Sequence, residues 1–194
     1  MKNYIKKTGL NKVESFLNIK IKKNTISIGA DTACYHTSFA IIRTTDDYLI
    51  LESLEKIEVP KLRKASTIKQ TLDNVDLFTE QLDTLKNKLS KKYKFDYVKI
   101  EDCFYQFSVK TTKLLAYNGI LTYDRLKRIS DSALLIMPRS ARAIVNFKAS
   151  NTKLKGNQLK KEIINYVNKA LDLEIKNDDE ADSIVLALAG IRNE

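Results

Sequence analysis

The chain has 194 residues, with 34 Lys+Arg against 24 Asp+Glu, two Cys, one His, two Pro, five Gly and no Trp. That length suits one domain, and a 43% hydrophobic share can fill one core. No apolar run approaches the roughly eighteen residues of a membrane span and no secretory pattern opens the chain, so a soluble, intracellular protein is expected. Disulfide scaffolds, Cys-rich zinc sites and His-dependent triads are set aside, and a metal site would have to be built from carboxylates.

In chain order, residues 1–24 carry seven Lys and one acid, Glu14. They form a basic arm, an amphipathic segment that orders on a partner or a frayed terminus. Thr25 to Asp31 alternates polar and apolar residues and reads as a strand ending at an aspartate. Ser38 to Thr44 and Tyr48 to Ser53 follow as strands around a Thr45-Asp46-Asp47 turn. From Ala65 to Lys92, Ile68, Leu72, Val75, Phe78, Leu82, Leu85 and Leu89 recur at spacings of three and four, the mark of a long amphipathic helix. Phe95 to Ile100 is a fourth strand with Glu101 at its end, and residues 108–117 make a helix closed by Asn118-Gly119. Ala133 to Met137 is a fifth strand ending at Pro138. Lys155 to Leu171 is a helix, and a last one starts near Asn177-Asp178, where Asn and Asp are good N-caps. The order predicts one α/β domain over 25–194, a five-stranded sheet flanked by helices.

The charge is unevenly placed. Residues 138–170 hold eight Lys or Arg against one acid, Glu162, whereas 172–182 hold six acids against Lys176. A wide basic surface with a concentrated acidic cluster fits a protein that meets a polyanion and holds cations. Asp31 and Glu101 fall at strand ends, and Asp179 and Asp182 share one face at the start of the last helix. Carboxyl ends of strands in open α/β sheets gather in one crevice, so these four acids can converge. Oxygen-only ligands suit Mg²⁺, with Mn²⁺ able to substitute. Two such ions about 3.5–4 Å apart serve phosphodiester hydrolysis, with Asp31 bridging, Glu101 on one ion and Asp179 and Asp182 on the other.

Three segments resemble RuvC-type Holliday junction resolvases of the RNase H-like superfamily: Ile28-Gly29-Ala30-Asp31 with Thr37 to Ile42 behind it, Val98 to Phe104, and Asp179-Glu180-Ala181-Asp182-Ser183 with the apolar run after it. The resemblance runs in order from about residue 25 to 192, and three motifs on the right element types are fairly specific. It implies an RNase H-like mixed sheet and a homodimeric, metal-dependent endonuclease that makes paired symmetric nicks in a four-way DNA junction. It implies Asp31, Glu101, Asp179 and Asp182 as catalytic metal ligands and Phe104 as the aromatic that stacks on an unpaired base, with Tyr105 and Phe107 as helpers. The family's basic stretch is loosely present as Arg139, Arg142, Lys148, Lys153 and Lys155. Thr32-Ala33-Cys34-Tyr35-His36 departs from the family's glycine-containing turn, as in a divergent, phage-like member working in a bacterial or phage-infected cell, or in an organelle.

Arg142, Lys148, Lys153, Lys155, Lys160 and Lys161 are the expected phosphate contacts. The helix 65–92 or the helix 108–117 is the expected dimer face. His36, in the turn after Asp31, is expected on the surface, with a place beside the site as the alternative. Cys34 and Cys103 are expected as small packing residues or occasional oxidation sites, with no function assigned. The competing readings are a broader flap and fork nuclease of the same fold and a non-catalytic DNA-binding module. With five glycines and no phosphate-cradling loop, a nucleotide switch is set aside.

Overall fold

The computed structural model describes residues 6–62, 67–102, 109–150 and 154–193. Six strands form one sheet in the order β1-β4-β3-β2-β5-β6. They are β1 (Lys6–Gly9), β2 (Ile26–Thr32), β3 (His36–Thr44), β4 (Tyr48–Glu58), β5 (Phe95–Glu101) and β6 (Ser130–Ile136). The helices are α1 (Leu10–Leu17), α2 (Ile68–Ser90), α3 (Val109–Lys127), α4 (Pro138–Ile144), α5 (Asn157–Leu171) and α6 (Asp178–Ile191). Strands β1 to β4 pair antiparallel to their neighbours, while β2–β5 and β5–β6 are parallel. The five expected strands are present: β3, β4 and β5 run longer than expected, β2 is shifted by one residue, β6 starts three residues earlier and stops at Ile136, and β1 makes the sixth.

Side-chain alternation divides the chain into two apolar layers. Ile28, Ala30, Phe39, Ile41, Val98 and Ile100 face a core closed by Phe78, Leu82, Leu85 and Leu89 of α2 and Leu126 of α3. The residues between them, with Ala40, Ile42, Leu49 and Leu51, face a second core built by α1, α4, α5 and α6. Strands β2 and β3 are covered on both sides, so their buried residues run nearly unbroken.

The elements differ from expectation where tertiary contacts override local signals. Within the basic arm, β1 pairs with β4, and Leu10, Val13 and Leu17 of α1 are buried in the second core. Only the C-terminal half of α2 carries its stripe into the core; Ile68 and Leu72 are exposed. Asn118-Gly119 does not stop α3. The Asn118 side-chain amide donates to the carbonyls of Ala33 and Cys34, and a Cβ on Gly119 would meet nothing nearer than 3.9 Å. Pro138 ends a strand as expected but also opens α4, at a first-turn position where its missing N–H costs nothing.

Helix α6 positions the site. Ten of its residues are buried, and Ile184, Val185, Leu186, Leu188 and Ile191 together contribute about 7–15 kcal/mol of apolar burial. Two like charges 4 Å apart near a protein surface repel by about 4 kcal/mol. The helix therefore holds its acidic start in place. It lies against β2 at Gly29, where a Cβ would stand 2.1 Å from the Ser183 carbonyl oxygen and 2.3 Å from the Ala187 nitrogen.

Candidate active site

Asp31 is the penultimate residue of β2 and Glu101 the last of β5, so the parallel β2–β5 pair delivers both to one end of the sheet. Asn177 caps α6 there, its Oδ1 accepting from the Asp179 N–H at 2.8 Å. The register that leaves glycine at 29 turns Asp31 to the same side of the sheet, toward the start of α6. The four expected carboxylates, Asp31, Glu101, Asp179 and Asp182, line one cavity of about 380 Å³ with Asp178, Arg142 and Lys160. Two further clefts, of about 440 and 510 Å³, flank α1. Glu14 is the one acid lining them and is held by the Ile21 N–H and Lys20.

Charge crowding shows in how the acids titrate. Asp31 is pushed well above the usual carboxylate range, first by burial and then by its hydrogen bond with Glu101, with the charges of Glu101, Asp182 and Asp179 adding to both. Burial also raises Glu101, opposed by the hydrogen bond from Asp31. Burial and mutual repulsion thus favour the protonated form of both carboxyls, Asp31 the more strongly. Burial raises Asp182, opposed by Arg142, whose Nη2 donates to Oδ1 at 2.9 Å. Asp179 is lowered, chiefly by a hydrogen bond from His36. Lys160 pairs with Asp178, a further acid in the cavity wall.

His36 corrects the sequence reading. Its side chain is 26% exposed, and Nε2 lies 2.9 Å from Asp179 Oδ2. The turn after Asp31 is short: the Ala33 N–H donates to the His36 carbonyl, and Thr32 pairs with Thr37. The chain thus comes back beside the carboxylates. The signal available in sequence was parity, since His36 shares a sheet face with Ser38, the cross-strand partner of Asp31.

The donor set fits a hard divalent cation in chemistry: oxygen ligands only, gathered in one cavity, where burial and their mutual charge raise Asp31 and Glu101 in the absence of a cation. Among the described residues, no three His, Cys, Asp or Glu side chains are drawn around one point as they would be on an ion. Asp182 and Asp179 are instead turned to Arg142 and His36.

Of the expected DNA contacts, Arg142 and Lys160 line the cavity. Lys148, Lys155 and Lys161 are exposed, as is Arg139. Phe104, Tyr105, Phe107, Cys103 and Lys153 lie outside the described residues. Cys34 is free and half-buried, with its thiol 3.6 Å from the Thr111 carbonyl. Among the described residues no helix is long and apolar enough to cross a membrane.

No family model matches the chain, and no curated protein matches it in sequence. Solved structures do match. T. thermophilus RuvC in complex with a Holliday junction substrate aligns with a TM-score of 0.63 at 10% identity, over 84% of this chain and 91% of that one. A second Thermus thermophilus RuvC structure aligns at 0.59 and 11% identity, over 84% and 92%. At such identity the likeness is one of fold: a single domain with a mixed sheet between helices, arranged as in RuvC.

Proposed function

We propose that the chain is a metal-dependent, structure-specific endodeoxyribonuclease that resolves four-way DNA junctions by paired symmetric nicks. The observation that carries this reading is the convergence of Asp31, Glu101, Asp179 and Asp182, from three separate segments, on one cavity. The likeness in fold to RuvC, one structure of which holds a Holliday junction substrate, and the basic flank support it. Asp31 and Glu101 on one side, with Asp182 and Asp179 on the other, would hold two Mg²⁺, or Mn²⁺ in their place. Such ions when bound supply an activated water and stabilise charge on the leaving oxygen.

The chain's own groups do the rest. Arg142 and Lys160 stand at the cavity wall, where they hold a phosphate and neutralise part of its charge. Lys148, Lys153 and Lys155 extend the positive track along the arms, positioning the duplex without reading its sequence. Phe104, aided by Tyr105, stacks on a base unpaired at the crossover. Two symmetric nicks need two active sites, hence a homodimer. Tyr117 and Ile120 of α3 and Ile68 and Leu72 of α2 are all exposed, so either expected face offers apolar surface to the second copy.

One observation favours a second reading, a DNA-binding module without catalysis. Asp178, Asp179 and Asp182 each already have a basic partner, in Lys160, His36 and Arg142. The two readings separate on labelled four-way junction, linear duplex, flap and fork incubated with Mg²⁺, Mn²⁺ or EDTA. The resolvase reading expects cutting confined to the junction and lost with EDTA or Asp182→Asn. Equal cutting of flaps and forks would move the role to general branched-DNA processing. Tight junction binding with no cutting in any metal would establish the module.

A further inference from the structure

We propose that His36 is a positioning residue of this site, fixing one oxygen of Asp179 so that the other is presented to the cation; this rests on the metal-dependent reading above. Asp179 is anchored twice. Its backbone N–H is tied to the Asn177 cap at 2.8 Å, and its Oδ2 lies 2.9 Å from His36 Nε2. A carboxylate oxygen can only accept, so Nε2 carries the proton and donates. The two anchors belong to different parts of the fold. Asn177 belongs to the start of α6, whereas His36 is the first residue of β3, locked by its pairing with Glu58 and by the Ala33 N–H on its carbonyl.

The contact also lies where a free carboxylate would otherwise rotate. The Asp179 and His36 side chains are 23% and 26% exposed, so water competes only partly for the bond. Asp182 and Asp178 are turned to Arg142 and Lys160, cations on flexible stems that a phosphate can attract. His36 differs from both. Its short ring extends from a paired strand, and an imidazole that donates through Nε2 fixes the direction of the bond. Groups that orient metal ligands through such hydrogen bonds typically change metal affinity by 10–100-fold when removed.

The probe is Mn²⁺ alone, its binding followed by the spin-resonance signal of the free ion in the absence of DNA. His36→Ala is expected to weaken Mn²⁺ binding by about 10–100-fold. His36→Gln places an N–H donor the same number of bonds from Cβ as Nε2, and is expected to restore affinity to within about threefold of native on that basis. In an Asp179→Asn background, His36→Ala should add nothing. The inference is overturned if His36→Ala binds Mn²⁺ as the native protein does, if His36→Gln is no better than alanine, or if the two losses add. A native protein that takes up no Mn²⁺, or one whose uptake is untouched by Asp31→Asn and Asp182→Asn, would overturn the metal-site reading itself. Normal uptake lost in those two variants but kept in His36→Ala would overturn only the role of His36.

Discussion

The contact between α6 and β2 at Gly29 links the fold to the site, and Gly29→Ala tests it. A Cβ there would lie 2.1 Å from the Ser183 carbonyl oxygen and 2.3 Å from the Ala187 nitrogen, both backbone atoms that no rotamer change can move. To reach even 3.0 Å, a separation real Cβ contacts almost never go below, the helix must retreat by about 0.9 Å. Overpacking of a well-filled core costs about 1–3 kcal/mol, and a backbone clash belongs at the upper end. For a chain of this size about 3 kcal/mol is a fall in Tm of roughly 6–12 °C. Ser183 follows Asp182 directly, so the retreat carries Asp182 and Asp179 away from Asp31 and Glu101. A displacement near 1 Å at reacting groups can cost about 100-fold in rate. Scanning calorimetry and single-turnover junction cleavage below the variant's Tm read the two effects separately. A Tm within 2 °C of native, or a cleavage rate within about twofold, would refute this account of how α6 is seated.

Three further outcomes are expected. Asp31→Asn should stabilise the metal-free protein above acidic pH. Asp31 keeps its proton in the fold to a higher pH than in the unfolded chain, so its contribution is present below its ordinary value of 3.8 and lost as pH rises through the raised one. Denaturant unfolding in EDTA should show a shallower loss of stability with rising pH in the variant; an unchanged slope would contradict the raised titration of Asp31. Arg142→Ala should lower the metal-free Tm by several degrees, since Asp182 is only 20% exposed and loses its guanidinium partner. Mg²⁺ should then raise the Tm by more than it does in the native protein, and equal rises would argue that ion and guanidinium do not compete for Asp182. Lys148→Ala and Lys155→Ala should each reduce the log–log salt slope of junction binding by about one, measured by fluorescence anisotropy in EDTA; an unchanged slope removes that lysine from the phosphate track.

Much of this was legible because the signals were strong and local. Alternation marked β2 and β3, the spacing of Phe78, Leu82, Leu85 and Leu89 marked α2, and the Asn177 cap before an apolar run marked α6. The four acids were readable because each stands at the end of an element. What escaped depends on partners far away in sequence. Lys6–Gly9 has no strand pattern of its own and is a strand because β4 offers an open edge. Asn118-Gly119 reads as a helix stop, yet the Ala33 and Cys34 carbonyls satisfy the Asn118 amide and α3 runs on. His36 looked like a turn residue until the pairing of Thr32 with Thr37 turned it back beside Asp179.

The proposed centre of Asp31, Glu101, Asp179 and Asp182 would bind divalent metal and cut a DNA junction in both opposing strands. Its most direct test is cleavage of a supercoiled plasmid extruding a cruciform, by native protein and Asp182→Asn, in Mg²⁺ and in EDTA. Linear product from symmetric paired nicks at the cruciform base is expected with Mg²⁺ and the native protein only. An intact plasmid under every condition, or cutting that persists in EDTA or in Asp182→Asn, would contradict it.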